Sequence, residues 1–202
     1  MRDRNDTSRS PKTPQAGEPN ARDRILAAAE ELFAGSGFDA TPTSRIAERA
    51  GVPKGLVHYY FKRKPDLLVA LVERLPTEWV DAARVVVPGD VAASLHRLVD
   101  VLDRALDSSA MLSHLLWREA DTHPAVLDLL RARFDLLVEQ IRAVIAAALP
   151  GGCADADVDS AAHLLASAVS YRHSVARHAE DGQQTMHREL RFLADALAAG
   201  AR

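Results

Sequence analysis

The sequence has little cysteine, and it lacks both a long apolar run and a signal-peptide pattern. Its single cysteine, Cys153, excludes a disulfide within the chain and a cysteine-based zinc site. No apolar run approaches the roughly 20 residues that a membrane helix needs, and the N-terminus lacks the charged, apolar and small-residue order of a secretory signal. We therefore expect a cytoplasmic protein with no membrane partner.

Aromatic residues are also scarce, at 5% of the 202 residues, whereas 48% of the chain is hydrophobic and alanine and leucine dominate. These two residues are strong helix formers, and a chain of this length can bury a substantial core. Apolar residues recur at helical spacing along most of the chain, and no segment shows the strict alternation of a half-buried strand. The sequence predicts an all-α fold.

Charge is divided unevenly along the chain. The net charge is −3, yet residues 1–75 carry 13 Lys and Arg against 10 Asp and Glu, and residues 76–202 carry 12 against 18. Residues 40–64 hold six cations against Glu48 alone, a net charge of +5. A basic segment of this kind attracts nucleic-acid phosphates through counterion release. The asymmetry suits a basic DNA-binding region on an acidic body.

The basic segment contains two short helical patterns separated by a glycine turn. The first helix is predicted at residues 43–50, with Thr41 as its N-cap and Pro42 at its first helical position, where a missing N–H has no partner. Gly51 can adopt the left-handed conformation that ends a helix. The segment therefore predicts a helix that stops sharply at residue 50.

The second helix, predicted from Lys54 to Phe61, has one apolar face and one polar face. Val57 and Phe61 are four residues apart and face inward, so His58 and Tyr59 face outward. This is the pattern of a helix-turn-helix whose second helix enters the major groove. The alternative is a solvated basic face on a helical hairpin, but the turn, the inward stripe and the aromatic–basic face together favour DNA binding. The candidate DNA-contacting residues are Thr43, Ser44, Arg45, Lys54, Gly55, Leu56, His58, Tyr59, Tyr60, Lys62 and Lys64.

Several positions between Arg24 and Leu68 form a pattern that is also found in other proteins. They are Leu32-Phe33, Gly37-Phe38, Thr41, Ile46-Ala47, Ala50-Gly51-Val52, Lys54-Gly55, Tyr59, Phe61-Lys62 and Lys64. On these residues the segment resembles the DNA-binding domain of the TetR family of bacterial transcriptional regulators. Four residues differ from those common at their positions in that family: Pro53, Leu56, His58 and Arg63. These differences affect which operator sequence the domain would recognise.

The resemblance implies a two-domain organisation. An N-terminal three-helix, helix-turn-helix DNA-binding domain is expected at residues 21–66, and a C-terminal helical ligand-binding and dimerisation domain at residues 67–202. Residues 1–20 are polar and carry proline, which predicts a disordered tail. The expected partners are a double-stranded DNA operator, a small-molecule effector and a second copy of the chain, bound through the last two long helices.

The remaining helices follow from apolar spacing and from turn residues. Helix 1 is predicted from Ala21 to about Ser36, capped by Asn20. A fourth helix begins near Lys64 and is expected to end or kink at Pro76. Five further helices are predicted at residues 91–107, 110–121, 124–149, 155–180 and 183–199.

A few polar and aromatic residues of the C-terminal half could line an effector pocket. A concave binding site needs apolar walls with a small number of oriented polar groups, and this set can supply both. The alternative for each residue is ordinary core or surface packing. The candidate ligand-binding residues are His114, Trp117, Arg118, Phe134 and Tyr171, with His173 as a further member.

Metal and catalytic sites are not expected. Asp155 begins a calcium-like run of aspartates, but Ser160 and Ala166 stand where the loop needs glycine and glutamate. The eight histidines form no zinc motif, Cys153 lies near aspartates that do not activate a thiol, and no nucleophile–base arrangement is present. We expect no metal, no cofactor and no enzymatic activity.

The sequence therefore predicts a homodimeric, ligand-responsive transcriptional regulator. We expect it to be a repressor of a pseudo-palindromic operator, released by a small apolar or aromatic effector with a polar end. The alternative is a helical small-molecule-binding or protein-interaction module whose helix-turn-helix does not read DNA. A helical enzyme is a more distant alternative.

Overall fold

The computed structural model describes residues 20–75, 80–107, 110–149, 151, 154–175 and 186–200. These residues form ten helices and contain no strand, which confirms the all-α prediction. Residues 1–19 of the tail predicted at 1–20, the break at Pro76 and the loop position Cys153 lie outside the described residues. The helices are α1 (Ala21–Ser36), α2 (Thr43–Ala50), α3 (Lys54–Tyr60), α4 (Pro65–Arg74), α5 (Ala82–Val85), α6 (Val91–Asp107), α7 (Ala110–Ala120), α8 (Pro124–Ala148), α9 (Asp155–Val175) and α10 (His187–Gly200).

The first helix begins where its cap predicts. The side chain of Asn20 accepts a 2.9 Å hydrogen bond from the backbone N–H of Asp23, so one N–H of the first turn gains a partner. The helix ends at Gly37, whose φ of 84° is unfavourable for a residue with a side chain. The predicted bounds of α1 are confirmed.

The short helix α5 was not predicted. It has only four residues, too few for an apolar period to be recognised, and it begins at Asp81, whose carboxylate accepts a 3.0 Å hydrogen bond from the N–H of Ala83. Val85 is its buried residue, at 2% exposure. Val85, with the partly buried Ala82 and Val86, packs this turn against the C-terminal helices.

Buried residues form two apolar clusters, and the first one joins the N-terminal helices to the rest of the chain. It includes Ile25 of α1, Ile46 of α2 and Leu67 of α4, together with Leu116 of α7 and Val126 of α8. The helix-turn-helix thus rests on a core that α7 and α8 complete. Helix α7 is therefore in direct apolar contact with the N-terminal helices.

The second apolar cluster holds the C-terminal helices together. It includes Leu95 of α6, Ile141 and Ile145 of α8, Leu165 of α9 and Leu190 of α10. Helix α8 contributes to both clusters, because its 25 residues extend from one to the other. Over the residues described, no helix combines the length and apolar character needed to cross a bilayer.

Candidate nucleic-acid interface

The turn between α2 and α3 has the predicted geometry. Gly51 lies in the left-handed region, with φ 63° and ψ 40°. Its N–H donates to the carbonyl oxygen of Glu48 at 3.1 Å, and the N–H of Val52 donates to that of Ala47 at 3.0 Å. These bonds satisfy carbonyl groups that the helix end would leave unpaired. Glycine at position 51 therefore ends α2 and allows the chain to turn toward α3.

Thr41 is not the N-cap of α2, so that prediction is wrong. The cap position is Pro42, with φ −74° and ψ 150°, and it offers no side-chain hydrogen bond. The Thr41 side chain is fully buried, and its hydroxyl donates to the carbonyl oxygen of Gly37 at 2.8 Å. A buried hydroxyl needs a partner, and the nearby end of α1 provides one.

Helix α3 presents its polar and aromatic face to solvent. It ends at Tyr60, one residue earlier than predicted, and Phe61 follows it in an extended conformation. Val57 and Phe61 are buried, at 0% and 5% exposure, whereas Tyr59 is 70% exposed. The ring of Tyr59 packs edge-on against Tyr60, with centroids 5.2 Å apart. Lys54, Gly55 and His58 are also exposed, and Leu56 is half-buried.

The candidates at the start of α2 lie on the accessible side of the motif. Ser44 and Arg45 are exposed and Thr43 is half-buried. On the same helix, the guanidinium of Arg49 lies 2.6 Å from the carboxylate of Glu31 in α1. Arg49 is thus paired, whereas Arg45 is an exposed cation of α2 alongside those of α3 and the segment after it.

The segment after α3 carries three cations in three different settings. Lys62 is exposed, while the guanidinium of Arg63 lies 3.2 Å from the carboxylate of Asp66. Lys64 is half-buried, and its ammonium donates to the carbonyl oxygen of Asp39 at 3.2 Å. The Lys64 ammonium is therefore tied to the loop between α1 and α2.

Comparison with known proteins agrees with this geometry. Residues 25–71 match the family model described as bacterial regulatory proteins, tetR family. The HTH-type transcriptional repressor Rv3405c of Mycobacterium tuberculosis is 33% identical over 130 residues, which cover 62% of this chain and 69% of that protein. The chain belongs to the TetR family.

Two further comparisons place this TetR-family chain among its relatives. The HTH-type transcriptional regulator QacR of Staphylococcus aureus is 35% identical over 60 residues, or 30% of this chain and 32% of QacR. This match spans only about a third of that relative. The structure of Salmonella enterica GusR superposes with a TM-score of 0.68 over 88% of this chain and 95% of that one, at 24% identity, so the likeness concerns the fold.

The predicted effector residues of this TetR-family chain lie in different surroundings. Trp117 of α7 is 38% exposed and Tyr171 of α9 is 69% exposed. Phe134 of α8 packs against the second cluster, with its ring centroid 6.5 Å from that of His163. Trp117 and Tyr171 thus present open surface, so the effector set remains a prediction.

The polar members of the effector set have protein partners of their own. Arg118 of α7 is exposed, and its guanidinium lies 3.1 Å from the carboxylate of Glu119. His114 is half-buried on the same helix and also has a polar or aromatic partner. A bound effector would have to compete for Arg118 with Glu119. Outside this set, burial lowers the pKa of the Arg133 guanidinium on α8.

Two polar features of the C-terminal helices were missed by sequence reasoning. An open cleft between α5 and α6 of about 430 Å³ is lined by Arg84, Arg97 and Arg104, among others. Asp103 of α6 accepts hydrogen bonds from Arg172 of α9 and, at 2.9 Å, from His173. Both features bring together residues that are distant in sequence or lie on separate helices, so spacing alone does not reveal them. The described residues contain no group of three or more side chains arranged as a metal site.

Proposed function

We propose that this TetR-family protein is a DNA-binding transcriptional regulator, acting as a repressor in the cytoplasm rather than as an enzyme. The observation that carries the proposal is the exposed face of α3, where Lys54, His58 and Tyr59 project from a helix anchored by the buried Val57. A short helix held on a packed base, with polar and aromatic groups outward, has the form of a recognition helix.

The charge around α3 supports the same proposal. Lys54 lies at its start, and Lys62 and Lys64 follow its end, so cations flank the helix on both sides. Phosphate contacts fix the register of a protein on the duplex, whereas base-edge contacts carry the sequence information. The lysines are suited to the first role, and His58 and Tyr59 to the second.

The proposed homodimer is supported by an apolar surface on α9 and α10. Leu164 and Tyr171 are seven residues apart and share one face of α9, at 62% and 69% exposure. Phe192 of α10 is 73% exposed, and α10 packs beside α9. Large exposed apolar side chains on adjacent helices are typical of protein–protein contact sites. We propose that a second copy covers them, which gives Tyr171 a role at the interface rather than in a pocket.

A small apolar or aromatic effector with a polar end is proposed to regulate DNA binding. Helix α7 carries His114, Trp117 and Arg118, and its apolar face is part of the first cluster below the helix-turn-helix. A ligand that favours one position of α7 would therefore act on the DNA-binding helices. Its effect is limited by the difference in its affinity for the two arrangements.

The proposal is tested by selecting bound fragments from genomic DNA with the full-length protein and footprinting them. A two-fold dimer predicts a pseudo-palindrome with half-sites about one helical turn apart, roughly 34–36 Å. Recovery of random fragments, or of sites without this symmetry, would contradict it. If the protein were a dimer and still recovered only random fragments, the alternative of a helical interaction module that does not read DNA would be favoured.

A further inference from the structure

The ring of Phe38 lies between a lysine of the DNA-binding segment and a histidine of the C-terminal helices. The Lys64 ammonium is 4.3 Å from the Phe38 ring centroid, and the His123 ring packs edge-on at 4.7 Å and 78°. Phe33 of α1 adds a tilted contact at 5.1 Å. Phe38 is 6% exposed, so its ring is fixed by these neighbours.

The position of the His123 ring is itself determined by the end of α7. Its Nδ1 lies 3.0 Å from the carbonyl oxygen of Glu119 and 2.9 Å from the hydroxyl of Thr122. Its side chain is 17% exposed. Because Glu119 lies in the last turn of α7 and Thr122 follows that helix, the imidazole is tied to the end of α7.

The end of α7 also lies near Gly37, the residue before Phe38. A Cβ atom placed on Gly37 would lie 3.9 Å from Nη2 of Arg118, whose guanidinium is paired with Glu119. The loop between α1 and α2 thus contacts His123 through Phe38 and lies close to Arg118 at Gly37. The same loop supplies the Asp39 carbonyl that accepts from Lys64.

We propose that His123 is a positioning residue for DNA binding, which holds Phe38 and thereby places the Lys64 ammonium for its phosphate contact. A cation over an aromatic face is attracted by the ring quadrupole, so the ring's position fixes the preferred position of the ammonium. The proposal rests on the proposed function, in which Lys64 contacts a phosphate. A displacement of α7 would then shift His123 and Phe38, and with them the Lys64 ammonium that is proposed to contact DNA.

A double-mutant cycle on the full-length protein tests this route. Operator affinity is measured over a range of salt concentrations for wild type, His123→Ala, Lys64→Met and the double variant. We expect His123→Ala to weaken binding by roughly 2- to 5-fold, the amount that a surface cation–π contact represents. In the Lys64→Met background the same substitution should have no further effect, because the group that it positions is absent.

Two variants separate positioning from general loss of stability. His96→Ala removes another half-buried histidine, on α6, and should leave operator affinity unchanged. His123→Phe keeps an aromatic ring on Phe38 and should restore most of the affinity. Equal weakening by His123→Ala in both backgrounds, or no weakening in either, would overturn the proposal.

A measurement without DNA distinguishes this proposal from the proposed function. The ε-methylene protons of Lys64 should show an upfield ring-current shift in the nuclear magnetic resonance spectrum of the wild type. His123→Ala should move them toward ordinary lysine values, and His123→Phe should not. If the wild type bound no operator, the proposed function would fail, and these resonances alone would decide whether His123 positions Lys64. Unchanged Lys64 resonances in His123→Ala would overturn the proposal that His123 positions Lys64.

Discussion

The hydroxyl of Thr41 donates to the carbonyl oxygen of Gly37 at 2.8 Å, and the Thr41 side chain has no exposure to solvent. This bond closes the loop that ends α1 and leads into α2. The loop also contains Phe38 and Asp39, both in contact with Lys64. The same buried hydrogen bond therefore supports the fold of the helix-turn-helix and the placement of Lys64, a proposed DNA-contacting residue.

We predict that Thr41→Val destabilises the protein by about 1–3 kcal/mol, because the substitution keeps the shape of the side chain but leaves the Gly37 carbonyl without its hydroxyl partner. The measurement is the free energy of unfolding in urea. Thr41→Ser is the matched control, since it keeps the hydroxyl and loses only a methyl group. An unfolding free energy equal to wild type in Thr41→Val would show that the bond contributes nothing.

Features that depend on residues close together in the sequence were predictable, whereas features that depend on contacts between distant segments were not. The end of α2 was predictable because Gly51 acts locally, through its own backbone conformation. The role of Thr41 was not, because its acceptor belongs to the preceding helix and its burial is set by the tertiary fold. The outward face of α3 follows from helical period alone, with Val57 inward.

The surroundings of the candidate effector residues could not be predicted from the sequence. Trp117 and Tyr171 were grouped as residues expected to line a pocket inside the C-terminal half, yet large parts of both are exposed. Helical period assigns an apolar residue to a face, but it does not say whether another helix covers that face. The arginine-lined cleft and the Asp103 hydrogen bonds depend in the same way on how α5, α6 and α9 are placed.

Lys54→Gln should weaken binding to all DNA sequences about equally and lower the slope of log affinity against log salt by about 1, since one phosphate contact is lost. Lys54 is exposed at the start of α3. Arg97→Gln, which removes an exposed cation of the α5–α6 cleft, should leave the slope unchanged. Equal slopes for Lys54→Gln and wild type would exclude a phosphate contact at residue 54.

His58→Ala should change which operator sequences are preferred, at a cost of roughly 1–3 kcal/mol for the preferred site if the imidazole contacts a base edge. His58 is exposed one residue after the buried anchor Val57, so its loss should not disturb packing. The measurement is selection from a randomised half-site library with both proteins. Identical consensus sequences would assign His58 to the backbone or to solvent.

Leu164→Glu should shift the protein from dimer to monomer, because a charge would be buried without a partner at the proposed interface. Sedimentation velocity at several concentrations measures the shift. The matched control is Leu136→Glu on α8, where the leucine is 40% exposed, compared with 62% for Leu164. If both variants remained dimeric, the dimer would have to form through another surface.

Trp117→Ala should leave operator binding nearly intact while abolishing the response to an effector. Trp117 is 38% exposed on α7, and the neighbouring Leu115 and Leu116 are buried in the first cluster, at 2% and 0% exposure. Truncating its ring therefore removes accessible surface that an apolar ligand could cover, while the cluster below the helix-turn-helix remains.

The size of that response is bounded by the coupling between the two sites. A coupling of about 1–3 kcal/mol corresponds to a roughly 5- to 150-fold loss of operator affinity when the effector is bound. Ligands are first found by thermal shift with the wild type, and operator affinity is then measured with and without ligand for wild type, Trp117→Ala and Leu136→Ala. Leu136→Ala should respond like wild type. An equal response in Trp117→Ala would remove Trp117 from the effector site, and no response to any ligand in a broad screen would indicate a constitutive regulator.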